Sequence, residues 1–318
     1  MTPKAMPLFR VPKVKKRLTW RSTVTIAAGY VGMNGIVLCA DTQETIPDYI
    51  KGNTDKIRYF FDRGLHVAVT GAGDSELIET IGERIEKALF RDYSPNTFRF
   101  TDEVRDIIQQ EMSSSFRQYI IPYASFPDRP SCELLILVSV DNDVNNYECL
   151  FKARDTTVRE IQYEGACVGA GIIIAQSLFE RLCTSFMELD ELVLAICYVM
   201  FQAKKSVIGC GGKTDLIFSA SKQHIFGGVS SIDIGLLERQ FDSCEETVNH
   251  LILDMVNPNC TEELFDQWIS HARTDRDRSL KALYGDGSEL HKLLRKIKVP
   301  EISLSSTLPD TDTSEDQQ

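Results

Sequence analysis

Between Ser206 and Leu216 the chain reads Ser-Val-Ile-Gly-Cys-Gly-Gly-Lys-Thr-Asp-Leu. Glycines ahead of a Lys213-Thr214 pair are the residue types that cradle a nucleotide phosphate, with backbone N–H groups around the oxygens and the lysine on their charge. The spacing excludes that chemistry. The motif needs a glycine five positions before Gly212, where the chain carries Val207. The context is reversed as well, because the loop follows a helix-like apolar run and opens a strand-like one, whereas a phosphate loop follows a strand and opens a helix. Its glycines therefore read as a tight helix-to-strand connection. The five histidines have no partners at metal-ligand spacing, and the nine cysteines form no CxxC pair. No metal and no other cofactor is expected.

The elements that must position any site follow from hydrophobic periodicity. Thr23 to Ala40 reads as a hairpin turning at Gly32-Met33-Asn34-Gly35, and a second strand pair turns at Asp62-Arg63-Gly64. Leu77, Ile81, Ile85 and Leu89 then recur every four residues with glutamates between them, which predicts an amphipathic helix. A second helix follows, with Thr101 as its expected N-cap. Strands return around 132–140, 147–153 and 159–164, then helices at about 172–187 and 189–205, then strands, and a helical stretch over 232–280. Strands returning between helix pairs predict two mainly antiparallel sheets covered by helices, not the alternating strands and helices of a parallel nucleotide-binding sheet.

Several stretches resemble the proteasome-type family of N-terminal-nucleophile hydrolases, the 20S proteasome subunits and the bacterial proteasome-like peptidase. They are Thr25 at the start of a strand, the returning run Gly35-Ile36-Val37-Leu38-Cys39-Ala40-Asp41, Lys56 in Asn-Thr-Asp-Lys-Ile, and Thr70-Gly71-Ala72-Gly73-Asp74 before the first helix. Later, Cys167-Val168-Gly169-Ala170-Gly171 is similar to the family's Val-Gly-Ser-Gly, and Gly209-Cys210-Gly211-Gly212 to its Ser-Gly-Gly loop. The likeness spans roughly residues 22–226 and implies an α+β fold, a four-layer αββα sandwich of the Ntn-hydrolase type.

Carried over residue by residue, the resemblance implies Thr25 as nucleophile, Lys56 as the positive charge beside it, Asp41 as the group that orients Lys56, and the Gly71 N–H as oxyanion donor. A threonine hydroxyl needs an adjacent base, and in this class the base is the threonine's own α-amine, which with a pKa near ~7.7–8.0 is substantially neutral at physiological pH. Cys210, Gly211 and Ala170 would support the nucleophile, and Thr23 is the alternative nucleophile. Read singly, each residue has a plainer role: Thr25 as a strand threonine, Asp41 as a turn cap, Lys56 as a solvated strand-edge lysine, the glycines as turn formers. Three positions depart from the family: Ala170 and Cys210 stand where serines are expected, and Val207 where an aspartate helps hold the amine. Val24 also precedes the nucleophile where self-processing members usually carry glycine.

Composition bounds the rest. The chain has 318 residues, 43% of them apolar and 25% charged, with a net charge of -11, so neither nucleic acid nor an acidic membrane surface is an expected partner. Only the N-terminus dissents, with seven basic residues and no acid in its first 22. It reads as a basic arm or a removable propeptide, followed by a domain over 23–285 whose helical extension covers about 232–285. Residues 286–318 are an expected tail, disordered from about 302. Cysteines scattered through apolar runs fit a cytoplasmic setting. The expected protein is a threonine peptidase or amidohydrolase made as a precursor, acting on peptide or unfolded protein as a homo-oligomer, with no unfoldase partner identifiable. The alternative is a catalytically silent scaffold subunit of the same fold.

Overall fold

Runs such as Ile36–Asp41 and Cys132–Asp141 are apolar on both strand faces, so both faces must be covered. The computed structural model, which describes residues 22–23, 25–44, 52–94, 100–125, 129–141, 146–220 and 225–284, shows how. One sheet orders β1 (Ser22–Thr23), β7 (Leu65–Asp74), β8 (Cys132–Asp141), β9 (Asn146–Arg154) and β10 (Thr157–Ile161), with β6 (Arg58–Asp62) also paired to β7. The other orders β11 (Gly165–Gly169), β2 (Ile26–Val31), β3 (Ile36–Asp41), β12 (Thr214–Ala220) and β13 (Ile225–Val229). A two-residue pair joins β4 (Gln43–Glu44) to β5 (Gly52–Asn53). All described pairings are antiparallel.

Period-two alternation divides each strand between two cores. On β7, Leu65, Val67 and Val69 face α1 (Ser75–Asp92) and α2 (Phe100–Ser115), while Ala68 and Ala72 face the second sheet. On β3, Val37 and Cys39 face α4 (Leu189–Ser206), and Ile36, Leu38 and Ala40 face the first sheet. With α3 (Ile172–Leu182) beside α4, this is the expected αββα sandwich. Each fully buried Leu, Ile or Phe of these three clusters contributes about 1.5–3 kcal/mol of transfer free energy.

Several boundaries differ from the sequence reading. Strand β7 runs through Gly71 and Gly73 to Asp74, whose carboxylate accepts the Leu77 N–H at 2.9 Å and caps α1, so the glycines lie in a strand and not in a turn. Helix α2 already includes Phe100, which places Thr101 inside its first turn. The stretch at 232–280 is two helices, α5 (Ser231–Val256) and α6 (Glu262–Tyr284), because Pro258 in the Asn257–Cys260 segment cannot donate an i to i−4 hydrogen bond. Asp275 of α6, 9% exposed, joins the pair by accepting the Thr247 hydroxyl at 3.0 Å. Apart from Ser22, the expected N-terminal arm lies outside the described residues, as does the tail 286–318.

Candidate active site

The β2–β3 hairpin brings together the first two candidates. Its register pairs Ala27 with Ala40, so Thr25 and Ile26 lie across from Asp41 at the far end from the turn. The Ile26 N–H donates to Asp41 Oδ1 at 3.1 Å, and the Thr25 hydroxyl donates to the same oxygen at 2.5 Å. Thr25 is 1% exposed and Asp41 0%.

Lys56 reaches them from outside the sheets. It sits between β5 and β6, in a stretch anchored by the Gln43–Asn53 pairing and by the Thr54 N–H donating to Thr42 O at 2.9 Å. Its ammonium donates to Thr25 Oγ1 at 2.5 Å, to Asp41 Oδ1 at 2.8 Å and to the Gln43 carbonyl at 2.5 Å. An ammonium has three N–H bonds, so this set can use all of them. The pair Lys56–Asp41 is nearly dry, with side-chain exposures of 12% and 0%, and such an ion pair keeps its strength only when its remaining hydrogen bonds are made.

Two turns close over this centre. Gly169 at the end of β11 has φ of +95° and lies so close that a Cβ there would overlap the Thr25 carbonyl oxygen. The Ala170 N–H then donates to that oxygen at 2.9 Å. Position 170 thus holds the threonine through its backbone, which an alanine supplies as well as a serine. From the other side, the Gly211 N–H donates to Asp41 Oδ2 at 2.9 Å. Cys210 beside it is buried, and its thiol is pushed up to about 11, first by burial and then by the charge of Asp41, with Lys56 opposing. It is a neutral thiol at physiological pH and supplies neither nucleophile nor base.

Gly71 lies within β7, where a Cβ would come within 2.5 Å of Glu133 O and 2.7 Å of the Leu134 side chain, so only glycine fits. It lines, with Thr54, Lys56, Val69 and Glu79, a pocket of about 130 Å³. A second cleft of about 440 Å³ is lined by Gly73, Arg129, Arg154, Gly169 and Ala170. Thr23, the alternative nucleophile, has its backbone paired with Gly73, and it is Thr25 whose hydroxyl meets Asp41 and Lys56. Val207 ends α4 as its C-cap and packs against the core, with no polar side chain to offer the centre.

The Gln43 carbonyl, third acceptor of Lys56, was missed in the sequence. A backbone oxygen leaves no mark in residue type, and the stretch Asp41-Thr42-Gln43-Glu44-Thr45 reads as a turn capped by Asp41.

No protein-family model matches the chain and no curated protein matches it. Solved structures do. The helical assembly of the Anbu complex from Pseudomonas aeruginosa matches with a TM-score of 0.60 at 13% identity, over 73% of this chain and 97% of that one. Anbu (ancestral beta-subunit) from Yersinia bercovieri matches with 0.57 at 12%, over 74% and 100%, and an Anbu (Gly-1) mutant from Hyphomicrobium sp. strain MC1 with 0.57 at 12%, over 72% and 99%. At such identities the likeness establishes the fold, an Ntn-hydrolase-like αββα sandwich.

These neighbours correct the family read from the sequence. They are Anbu proteins, proteasome-like but a family distinct from the 20S subunits and the bacterial proteasome-like peptidase. The reason is physical. The hairpin, the lysine and the glycine-rich strand are what the sandwich needs to bring a threonine, an aspartate and a lysine together, so they report the fold and its cleft and do not separate families that share them.

Proposed function

We propose that this chain is an amidohydrolase that uses Thr25 as a nucleophile on peptide bonds, working in an Anbu-like oligomeric assembly. The observation that carries the reading is the position of the Thr25 hydroxyl, which donates to Asp41 Oδ1 and accepts from Lys56 Nζ, both at 2.5 Å. A strand threonine with a packing role needs no buried carboxylate and ammonium converging on one oxygen, since desolvating both is costly.

The reaction is acyl transfer. Thr25 Oγ1 attacks the scissile carbonyl carbon, a C–O bond forms, and the hydroxyl proton passes to a base. The amide C–N bond then breaks as the leaving nitrogen takes that proton, and water hydrolyses the resulting ester to restore the threonine. The base is the Thr25 α-amine, freed by removal of the 24 residues that precede it, with Lys56 favouring the deprotonated hydroxyl by charge and Asp41 holding Lys56 in place. The Gly71 N–H serves the developing oxyanion. The basic N-terminal segment is in this reading removed together with Thr23 and Val24, and the mature domain spans 25–285. The 130 Å³ pocket is lined by Lys56 and Gly71, two residues of this mechanism, and in this reading takes a substrate side chain of modest size. The assembly is inferred from the helical Anbu complex of Pseudomonas aeruginosa.

The test is labelling with a β-lactone or epoxyketone, electrophiles that acylate or alkylate a nucleophilic N-terminal threonine. A single adduct that maps to Thr25 and vanishes in Thr25→Ala supports the reading. Equal labelling of wild type and Thr25→Ala, or none in either, contradicts it and leaves the scaffold as the better description.

A further inference from the structure

The loop 209–212 supplies an N–H to Asp41, yet the helix that leads into it ends on Val207, whose side chain goes to the core and not to the centre. Beside Gly211 the Cys210 N–H donates to Val207 O at 3.2 Å with the Cys210 side chain buried in the core, and the Lys204 ammonium donates to Gly212 O at 3.1 Å. Two backbone bonds tie the loop to the strand below it: the Gln43 N–H donates to Gly211 O at 3.1 Å and the Thr42 N–H to Lys213 O at 2.9 Å. Both act at or after Gly211. The segment before it, where the chain leaves α4 and Gly209 has φ of +97°, has one side-chain tie to that strand among the described residues: Gln43 Nε2 donates to Gly209 O at 2.9 Å.

The glycine pattern agrees. Gly212 has φ of +73°, which favours glycine by backbone conformation alone. Gly211 has no such need. The space a Cβ on it would take is occupied by Gln43 Oε1, so the Gln43 amide lies directly across the residue. Gln43 is itself 8% exposed, and a buried amide that finds a carbonyl partner is an interaction fixed in one geometry.

We propose that Gln43 is a positioning residue for the reaction at Thr25, a role that rests on the threonine-nucleophile reading above. One residue serves both halves of the centre. Its carbonyl accepts Lys56 Nζ, and its side-chain amide fixes the approach to Gly211, whose N–H occupies the Asp41 oxygen not used by Thr25 and Lys56. With Oδ2 held by Gly211, Oδ1 is left facing the hydroxyl and the ammonium. Loss of the amide loosens the approach to Gly211 and so weakens the hold on Oδ2, leaving the carboxylate oriented through Oδ1 alone by the Ile26 N–H, the hydroxyl and the ammonium.

The test uses the full chain, with Gln43→Met, which keeps length and volume but has no N–H, and Gln43→Asn, whose amide is one methylene short. Hydrogen exchange is followed by mass spectrometry on peptides covering 207–213, 36–41 and 214–220. The β-lactone labelling rate is measured against probe concentration. Both variants are expected to raise exchange in 207–213 by about tenfold or more while the two strand peptides and the melting temperature stay at wild-type values. The saturating labelling rate is expected to fall about 10- to 100-fold with the half-saturating probe concentration unchanged. Unchanged exchange in 207–213 overturns the proposal. So does exchange that rises equally in the strands together with a lower melting temperature, since that is a general loss of stability. A wild-type protein that is not labelled contradicts the threonine-nucleophile reading, and the proposal for Gln43, which depends on it, falls with it even where the exchange result shows the loop anchor to be real.

Discussion

The side chains of Thr25, Asp41 and Lys56 and the Gln43 carbonyl oxygen meet at one centre, and substitution of the lysine or the aspartate is expected to be felt at the threonine. Lys56→Met keeps the length of the chain but removes the charge, so it leaves Asp41 buried without its cation. Labelling at Thr25 is expected to drop about 10²- to 10³-fold, the usual range for losing one group that stabilises developing charge. Asp41→Asn is expected to fall in the same range, because Lys56 loses the anion that orients it. The neighbouring thiol is expected to be silent: with Cys210 pushed up to about 11 by burial, iodoacetamide at pH 8 should leave it unmodified in the native protein while reaching Cys244 and Cys260, the two cysteines that are not buried. Peptide mapping after alkylation checks this, and rapid alkylation of Cys210 would point to a thiol nucleophile instead. At this scale the sequence made legible which side chains meet, as for Thr25, Asp41 and Lys56. It was silent on two backbone contacts of the centre, the Gln43 carbonyl with Lys56 and the Ala170 N–H with the Thr25 carbonyl.

Elements carry these groups into contact, and their joints are where substitution should be felt most. Gly169 combines a positive φ with a Cβ direction that points at the Thr25 carbonyl. Gly169→Ala is expected to cost about 1–3 kcal/mol in backbone strain alone, and to lower the melting temperature while displacing Thr25 from Asp41; both are read by calorimetry and by the labelling rate. Further from the centre, Asp275 holds α6 to α5 through Thr247 and Ser243. Asp275→Ala should loosen the helix pair, at about 1–3 kcal/mol for partners left unpaired, with labelling at Thr25 unchanged. The strand and helix pattern was legible from periods of two and of three to four. The extension of β7 through Gly71 and Gly73 was not, because glycine is a turn signal in a sequence. Here those glycines lie in a strand because β8 passes too close for any side chain. The break between α5 and α6 rests on one proline inside an otherwise continuous apolar pattern.

For the molecule as a whole, two sheets sealed by helices bury seven of the nine cysteines. Cys183 and Cys210 are pushed up to about 11, in both cases first by burial. A thiol whose folded value lies above its ordinary 9.0 stabilises the fold fully below pH 9 and ceases to do so as pH rises through 11. Thermal stability is therefore expected to fall between pH 9 and pH 11, and a flat profile there would contradict the burial described. The proposed assembly predicts a native mass that is a multiple of the 35.9 kDa chain or of its shortened form. The central claim is that Thr25 acts through its own amine, and the intact mass of the purified, active protein tests it most directly. The expected chain begins at Thr25 and gains one β-lactone adduct on that residue. A full-length chain that hydrolyses peptides, or a chain shortened to Thr25 that takes up no label, would contradict it.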